Sequence, residues 1–405
     1  MNLGVYIQVP FCQTKCTYCN FHTGVVARER YEPYAAAVCR EISAFASGAD
    51  AGALQNAIVD SVYFGGGTPS LLEPASLAEI LDSLRRKFVL SHGTELARAE
   101  GIQEDPLERL EITIEADPET ITSEKAAAWR AAGLSRISLG VQSFEDSELQ
   151  AAGRVHRRTD ICAANEILRR AGFANIGMDL IAGLAHQTRQ SWEESIARIL
   201  DIRPEHISIY ILEIDEGSRL GKESLAGGTR YGADAVPSDD EMVGSYESAC
   251  RRLVAAGYEH YEISNWALPG YRSRHNLKYW RRDPYIGFGA GAHSFDGSKR
   301  WSNIHDPARY VSCIEQGISA CEQVAVVTAE EALEEELFLG LRQLEGIDLA
   351  QVESRYNVSL QERLTPLCQQ RMLELNGTQL RLAPDRLTIS NEIFVELLGQ
   401  GVGRA

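Results

Sequence analysis

Val5-Tyr6-Ile7-Gln8-Val9-Pro10-Phe11-Cys12-Gln13-Thr14-Lys15-Cys16-Thr17-Tyr18-Cys19 joins a short β-prone run to three closely spaced cysteines. Val5–Val9 is rich in apolar and β-branched residues and predicts a strand. Cys12, Cys16 and Cys19 follow it at once with the spacing C-x3-C-x2-C. A loop at the carboxyl end of a parallel strand is where such sheets place their chemistry. Three thiolates on one short loop can converge on an iron–sulfur cluster, whose soft iron requires sulfur ligands. The usual cluster takes four cysteines, so three leave one iron open to a small chelating ligand. Two plainer readings stand beside this one. Zinc normally wants C-x2-C pairs and a fourth ligand, which His22 could supply; or the three thiols are an incidental group.

Outward from this stretch, strand-like and helix-like segments alternate over two-thirds of the chain. Further strands are predicted at Ile58–Phe64, Leu110–Glu115, Arg136–Val141, Gly177–Ile181 and Ile207–Leu212. Several are nearly continuous apolar runs, as strands buried on both faces should be. Between them, Ser191-Trp192-Glu193-Glu194 fits a capping box, and Gly133 follows a helical run where a left-handed C-cap is wanted. Repeated strand–helix units imply a parallel sheet, and six of them suggest a partial (βα)6 TIM-like barrel, which spacing alone does not separate from an open doubly wound sheet. No GxGxxG follows the first strand, so the usual dinucleotide fingerprint is missing. Ser91–Arg109 is polar and reads as a surface insertion. From about Thr328 the pattern changes. Helices are predicted at Glu330–Leu344, Leu349–Tyr356 and Gln361–Leu375, then a hairpin of Gln379–Leu382 and Arg386–Ile389. The expected architecture is α/β, with a barrel domain over 1–300 and an α+β, winged-helix-like domain over 301–405.

The formal net charge of −17 argues against a sequence-independent nucleic-acid binder. Acidic residues also outnumber basic ones in the C-terminal region, which disfavours DNA reading by the winged-helix-like part. No apolar run is long enough to span a bilayer, and the N-terminus lacks a signal-peptide layout. The expectation is a cytoplasmic protein without an integral membrane segment. Cys39, Cys162, Cys250, Cys313, Cys321 and Cys368 are scattered, unlike a disulfide framework, and read as thiols in a reducing compartment.

Other candidate residues fall at or near strand ends. Gly65-Gly66-Gly67-Thr68 follows the second strand, and glycines let backbone approach a ligand closely. Glu115, Gln142 and Asp179 lie at or near the ends of the third, fourth and fifth strands, with Arg154 following in Gly153-Arg154-Val155-His156. Polar groups gathered at one mouth suit a polar cofactor, and a guanidinium pairs well with a carboxylate.

The C-x3-C-x2-C spacing is the signature of the radical S-adenosylmethionine superfamily, which this sequence resembles. Tyr6-Ile7-Gln8-Val9-Pro10-Phe11-Cys12 and Phe64-Gly65-Gly66-Gly67-Thr68-Pro69-Ser70 resemble the branch that contains oxygen-independent coproporphyrinogen III oxidases and HemW-type heme chaperones. The resemblance implies a [4Fe–4S] cluster on Cys12, Cys16 and Cys19 with S-adenosylmethionine on the free iron. It assigns the cofactor's amino group to Gly66, Gly67 and Thr68, and its carboxylate to Arg154. It gives further amino and ribose contacts to Glu115, Gln142 and Asp179, and aromatic contacts to Tyr6 and Tyr18. When such chemistry runs, the reduced cluster cleaves the sulfonium and the resulting 5′-deoxyadenosyl radical abstracts a hydrogen. Many relatives carry His where this chain has Gln8, so any role of that His is in doubt here.

Within the branch, two functions compete: decarboxylation of coproporphyrinogen III, and carriage of heme to acceptor proteins. The oxidases carry a further cysteine two residues after the third ligand, where this chain has Phe21. They also have an N-terminal extension ahead of the cluster loop, whereas eleven residues precede Cys12 here. His275-Asn276-Leu277-Lys278-Tyr279-Trp280 matches the H-N-x-x-Y-W motif of the heme-binding relatives, and Glu335-Glu336-Leu337-Phe338-Leu339-Gly340-Leu341-Arg342 resembles the same subgroup. Heme carriage is therefore the expected function, with His275 as candidate axial ligand and His293 as a weaker one. The alternative for His275 is a structural hydrogen bond. A radical methylase or heme-degrading relative on the same scaffold is a third reading. Implied partners are heme, heme-accepting proteins such as respiratory enzymes, and a reductant for the cluster; delivery to respiratory enzymes would bring a loose, peripheral membrane association.

Overall fold

The computed structural model describes residues 1–45, 54, 57–91 and 110–398. All six sequence-predicted strands form: β1 (Asn2–Val9), β2 (Ile58–Gly66), β3 (Glu111–Ala116), β4 (Arg136–Gln142), β5 (Ile176–Ala182) and β6 (His206–Ile211). They pair in parallel and in chain order, with Ile7 beside Phe64, Val62 beside Ile112, Ile114 beside Ile137, Leu139 beside Met178 and Met178 beside Ile207. These registered apolar residues form one face, buried beneath α1 (Tyr31–Ala44), α2 (Pro74–Lys87), α3 (Ser123–Ala132), α4 (Arg158–Arg170) and α5 (Arg189–Ile202). Side chains alternate along a strand, so the intervening residues share the other face. That second face carries Tyr6, Tyr63, Thr113, Glu115, Arg136, Ser138, Asp179 and Ser208, and it is polar. The strands are buried on both faces as expected, but only one face is apolar.

The sheet does not close on itself. After α6 (Asp239–Ala255), the short strands β7 (Glu259–Glu262) and β8 (Asn265–Ala267) cover the β6 edge in antiparallel fashion. The helix α7 (Arg274–Trp280) leads to β9 (Tyr285–Phe288), a seventh parallel strand on the free side of β1. Antiparallel strands β10 (His293–Phe295), β11 (Lys299–Asn303) and β12 (Cys321–Val326) extend that edge. The barrel sheet thus continues to Val326, past the expected boundary between residues 300 and 301.

Local signals explain the helix ends. The side chain of Thr188, not Ser191, caps α5, because Ser191 is the third helical residue and completes a reciprocal box with Thr188. Gly133 ends α3 in the left-handed region, at φ 100°. In the C-terminal part, α8 (Ala329–Gly340), α9 (Leu349–Tyr356), α10 (Gln361–Gln369) and α11 (Ser390–Leu398) surround a small sheet of β13 (Ile347–Asp348), β14 (Leu373–Asn376) and β15 (Gln379–Leu382). The hairpin joins β14 and β15 through Gly377, at φ 65°, and the residues expected as its second strand, Arg386–Ile389, are 3-10 helical. The expected insertion Ser91–Arg109 lies, beyond Ser91, outside the described residues.

The two parts meet at Glu335 of α8. Its carboxylate accepts from Arg282 Nε at 2.6 Å and from Arg300 Nε and Nη2 at 2.7 and 2.9 Å, and both guanidiniums lie over the Phe295 ring. Glu335→Ala leaves two partly buried cations facing each other, so a loss of about 1–3 kcal/mol is expected. Denaturant unfolding measures it, and Glu335→Gln should recover part of the loss.

Candidate cluster and cofactor site

Phe11 anchors the loop after β1. Its buried ring stacks on Tyr31 at 4.7 Å and meets the edge of Tyr34 at 4.9 Å. Backbone bonds Gly24 N to Pro10 O (2.9 Å) and Cys12 N to Gly24 O (3.0 Å) tie the loop's two ends together. Its middle is held from across the sheet, by Thr17 N to Ala152 O (3.0 Å) and Leu220 N to Thr17 O (2.8 Å). The thiols of Cys12, Cys16 and Cys19 then face one cavity of about 740 Å³ at the carboxyl ends of β1–β6. Burial raises the Cys12 and Cys19 thiols above the usual thiol range. Among the described residues no group of three or more His, Cys, Asp or Glu is placed to hold a single metal ion.

The glycine loop closes against the cysteine loop. Gly67 N donates to Val9 O at 2.8 Å and Thr68 N to Phe11 O at 2.7 Å. Gly66 adopts φ 114°, and a Cβ on Gly67 would stand 2.4 Å from Phe11 O and 3.0 Å from Cys12 Sγ. No side chain fits between the two loops.

Of the sequence-predicted site residues, Cys12, Cys16, Cys19, Tyr18, Gly66, Gly67, Thr68, Glu115, Gln142, Arg154 and Asp179 all line this cavity. Glu115 accepts from Tyr63 Oη at 2.9 Å and from Gly66 N at 3.0 Å. Burial, with Asp179 nearby, pushes its carboxyl up to about 7. Asp179 accepts from Ser138 Oγ at 3.3 Å, while its buried Oδ1 has no hydrogen-bond partner among the described residues. Gln142 ends β4 in the left-handed region, at φ 64°, beside a register shift. Arg154 is paired with Asp117 and also donates to Gly140 O at 3.0 Å and Cys16 Sγ at 3.5 Å. A buried carboxylate oxygen without a donor, a second raised carboxyl and a glycine cradle suit a ligand bearing hydroxyl and ammonium groups. The residues present thus fit S-adenosylmethionine beside a cluster.

Tyr6 and His275 do not line the cavity. Tyr6 lies beneath it, donating to Gln8 Oε1 at 2.9 Å. His275 is 1% exposed, with Nδ1 3.0 Å from Ser61 Oγ and Nε2 3.0 Å from Tyr279 Oη. Burial, then Lys278 and Arg136, push its pKa down to about 3. Both nitrogens of this neutral ring are engaged, the arrangement expected of a structural hydrogen bond. The strongest omission of the sequence reading is Asp117. It lies two residues beyond Glu115, and its partnership with Arg154 and Thr68 Oγ1 (3.1 Å) appears only once the strands are aligned.

Gly67→Ala is expected to separate the two loops and abolish iron retention after anaerobic reconstitution, while leaving the helical circular-dichroism signal intact. Iron analysis checks this, with Gly244→Ala in α6, whose added Cβ meets nothing within 4 Å, as a distant control.

Comparison with known proteins agrees with this geometry. The sequence model of the radical SAM superfamily matches residues 6–199, and that of the HemN C-terminal domain matches residues 327–385. The heme chaperone HemW of Bacillus subtilis is 31% identical over 402 residues, covering 98% of this chain and 99% of that protein. The heme chaperone HemW of Synechocystis sp. is 34% identical, covering 96% and 90%. Among solved structures, the coproporphyrinogen III oxidase HemN of Escherichia coli superposes with a TM-score of 0.79 at 20% identity, over 98% of this chain and 90% of that one; at that identity the likeness is one of fold. The chain belongs to the HemW family of the radical SAM superfamily.

Proposed function

We propose that this protein is a heme chaperone: it binds heme and passes it to acceptor proteins, respiratory enzymes among them, while holding a [4Fe–4S] cluster and S-adenosylmethionine in its cavity. The carrying observation is the end-to-end likeness to proteins named heme chaperone HemW, which spans the cavity and the C-terminal unit alike. Phe21, standing where the oxidases have a further cysteine, supports the same reading against decarboxylation. The proposed setting is the cytoplasm, with peripheral association where the acceptor is a membrane enzyme; among the described residues no helix is long and apolar enough to cross a membrane.

In this reading Cys12, Cys16 and Cys19 hold the cluster, and an external reductant reaches it. When bound, the cluster and S-adenosylmethionine supply one-electron chemistry. The protein's residues position and enclose: Gly66, Gly67 and Thr68 present backbone to the cofactor, and Glu115, Gln142 and Asp179 take its ammonium and hydroxyl groups. Arg154, neutralised in part by Asp117, stands over Cys16 and faces the cofactor's carboxylate. Tyr18 packs beside the cluster, and Tyr6 supports the floor through Gln8.

Two measurements test the reading. Anaerobically reconstituted protein is given heme and coproporphyrinogen III in parallel, with S-adenosylmethionine and dithionite. Retained heme without decarboxylation is expected; conversion to protoporphyrinogen without stable heme binding rejects the chaperone. Iron content near four per chain should vanish in the Cys12→Ala, Cys16→Ala, Cys19→Ala variant.

The cofactor's affinity should also depend on pH. Glu115, raised to about 7, is neutral below that value and charged above it. A charged carboxylate attracts an ammonium group, so S-adenosylmethionine affinity rises as pH increases through about 7 and then levels off. Calorimetry at several pH values checks this, and Glu115→Gln should flatten the profile and weaken binding.

A further inference from the structure

Heme iron needs an accessible imidazole, and His275 offers none. Three other described histidines are buried or half-buried. His156 and His206 are fully buried, the latter bonded to Tyr261 Oη at 2.7 Å, and His260 stacks on Trp266 at 4.1 Å. The exposed histidines among the described residues are His22, His186, His293 and His305. Three of these four meet. The rings of His22 and His305 lie 4.8 Å apart, and those of His293 and His305 lie 6.2 Å apart.

We infer that His22, His293 and His305 form the docking site for heme, with one imidazole ligating the iron and a neighbour placed to replace it. The inference rests on the heme-carrier reading and adds the location of the cargo.

Three separate segments build the patch. His22 is three residues beyond Cys19, on the cluster loop itself. His293 opens β10, and His305 follows the antiparallel β11. The backbone bond from Gly291 N to Ile304 O (2.9 Å) fixes their spacing, and a Cβ on Gly291 would stand 3.0 Å from His305 Nδ1. Among the described residues no hydrogen bond or ion pair engages the three rings. Burial, aided by His305, Arg300 and His22, lowers the pKa of His293 and favours the neutral ring that binds metal.

Apolar cover for a porphyrin face comes from the segment that carries His22. Phe21 and Val25 are 67% and 59% exposed, an unusual pair for one short loop. The cavity is no alternative berth. Its 740 Å³ lies within the range of about 300–1,000 Å³ that encloses one small-molecule ligand. Cluster and S-adenosylmethionine already claim it. Handover from the patch needs only ligand exchange: an iron–imidazole bond to this protein breaks as one to the acceptor forms, with no change in electron count.

Cluster-reconstituted full-length protein is titrated with hemin, following the Soret band and the low-spin ferric EPR signal. The side chains exchanged are exposed, so folding and iron content should stay unchanged. His293→Ala/His305→Ala and the triple variant with His22→Ala should bind hemin about ten-fold more weakly or worse and lose the imidazole-ligated spectrum. Added imidazole should restore that spectrum. His186→Ala should behave as wild type; an equal loss there would mean indiscriminate binding and overturn the site. Wild-type affinity and spectrum in the triple variant overturn the site while the chaperone reading stands. Wild-type protein that binds no hemin overturns both.

Discussion

The structure depends on two parallel strands whose pairing continues beyond their own ends. β1 and β2 run in register to Val9 beside Gly66. Their loops remain bonded afterwards, Gly67 N to Val9 O and Thr68 N to Phe11 O. The cysteine loop therefore inherits its position from the sheet, and the rigidity of a central strand reaches the thiols. This requires a residue without a side chain at 67, because the carbonyl of Phe11 and the sulfur of Cys12 occupy the space a Cβ would need. Every other cavity residue is placed by adding strands to this pair, β3 bringing Glu115, β4 Gln142 and β5 Asp179.

The segments 275–280 and 335–342 pack together into one joint. His275 lies against Tyr63, with ring centroids 5.1 Å apart, and Tyr63 donates to Glu115 at the cavity wall. Lys278 pairs with Asp60 at 2.8 Å. At the far end of α7, the Arg342 guanidinium lies 4.6 Å over the Trp280 ring, while Arg342 O accepts from Ile263 N. Packed contacts are thus continuous from the C-terminal unit to Glu115. That continuity is spatial, and coupling through it is a separate matter. It does account for both motifs by packing and hydrogen bonding, since a buried imidazole with two partners fixes neighbouring rings as firmly as it excludes a metal.

Much of the fold and cavity was legible in the sequence because local rules governed them. The six central strands and the cysteine spacing needed only periodicity and side-chain chemistry. What escaped depended on distant partners. β9 is four residues long and owes its place to the free edge of β1. The helix expected over Gln361–Leu375 ends at Gln369, where Arg371 at φ 56° turns the chain into a strand that β15 completes. His275 carried a motif suggesting coordination, and its burial among Ser61, Tyr63 and Tyr279 became visible only in three dimensions. The converse holds for His22, His293 and His305. They are far apart in sequence, and no periodicity joins them.

The charge arrangement inside the cavity bears on the proposed separation of cofactor and heme. Arg154 is committed to Asp117, to the carbonyl of Gly140 and to the Cys16 thiol. Glu115 and Asp179 share a wall, and burial raises each above the ordinary carboxylate range although the Arg136 and Arg154 guanidiniums pull Asp179 the other way. Two neighbouring buried carboxyls cannot both ionise readily unless a cation arrives. An ammonium or sulfonium group meets that condition, whereas the propionates of heme would add negative charge to the same wall. Exposed imidazoles beside Phe21 and Val25 present the opposite character: nitrogen ligands, apolar cover and open solvent for the propionates. The polar inner face of the sheet and the imidazole patch beside the cluster loop thus select different molecules, and residues 12–25 contribute to both.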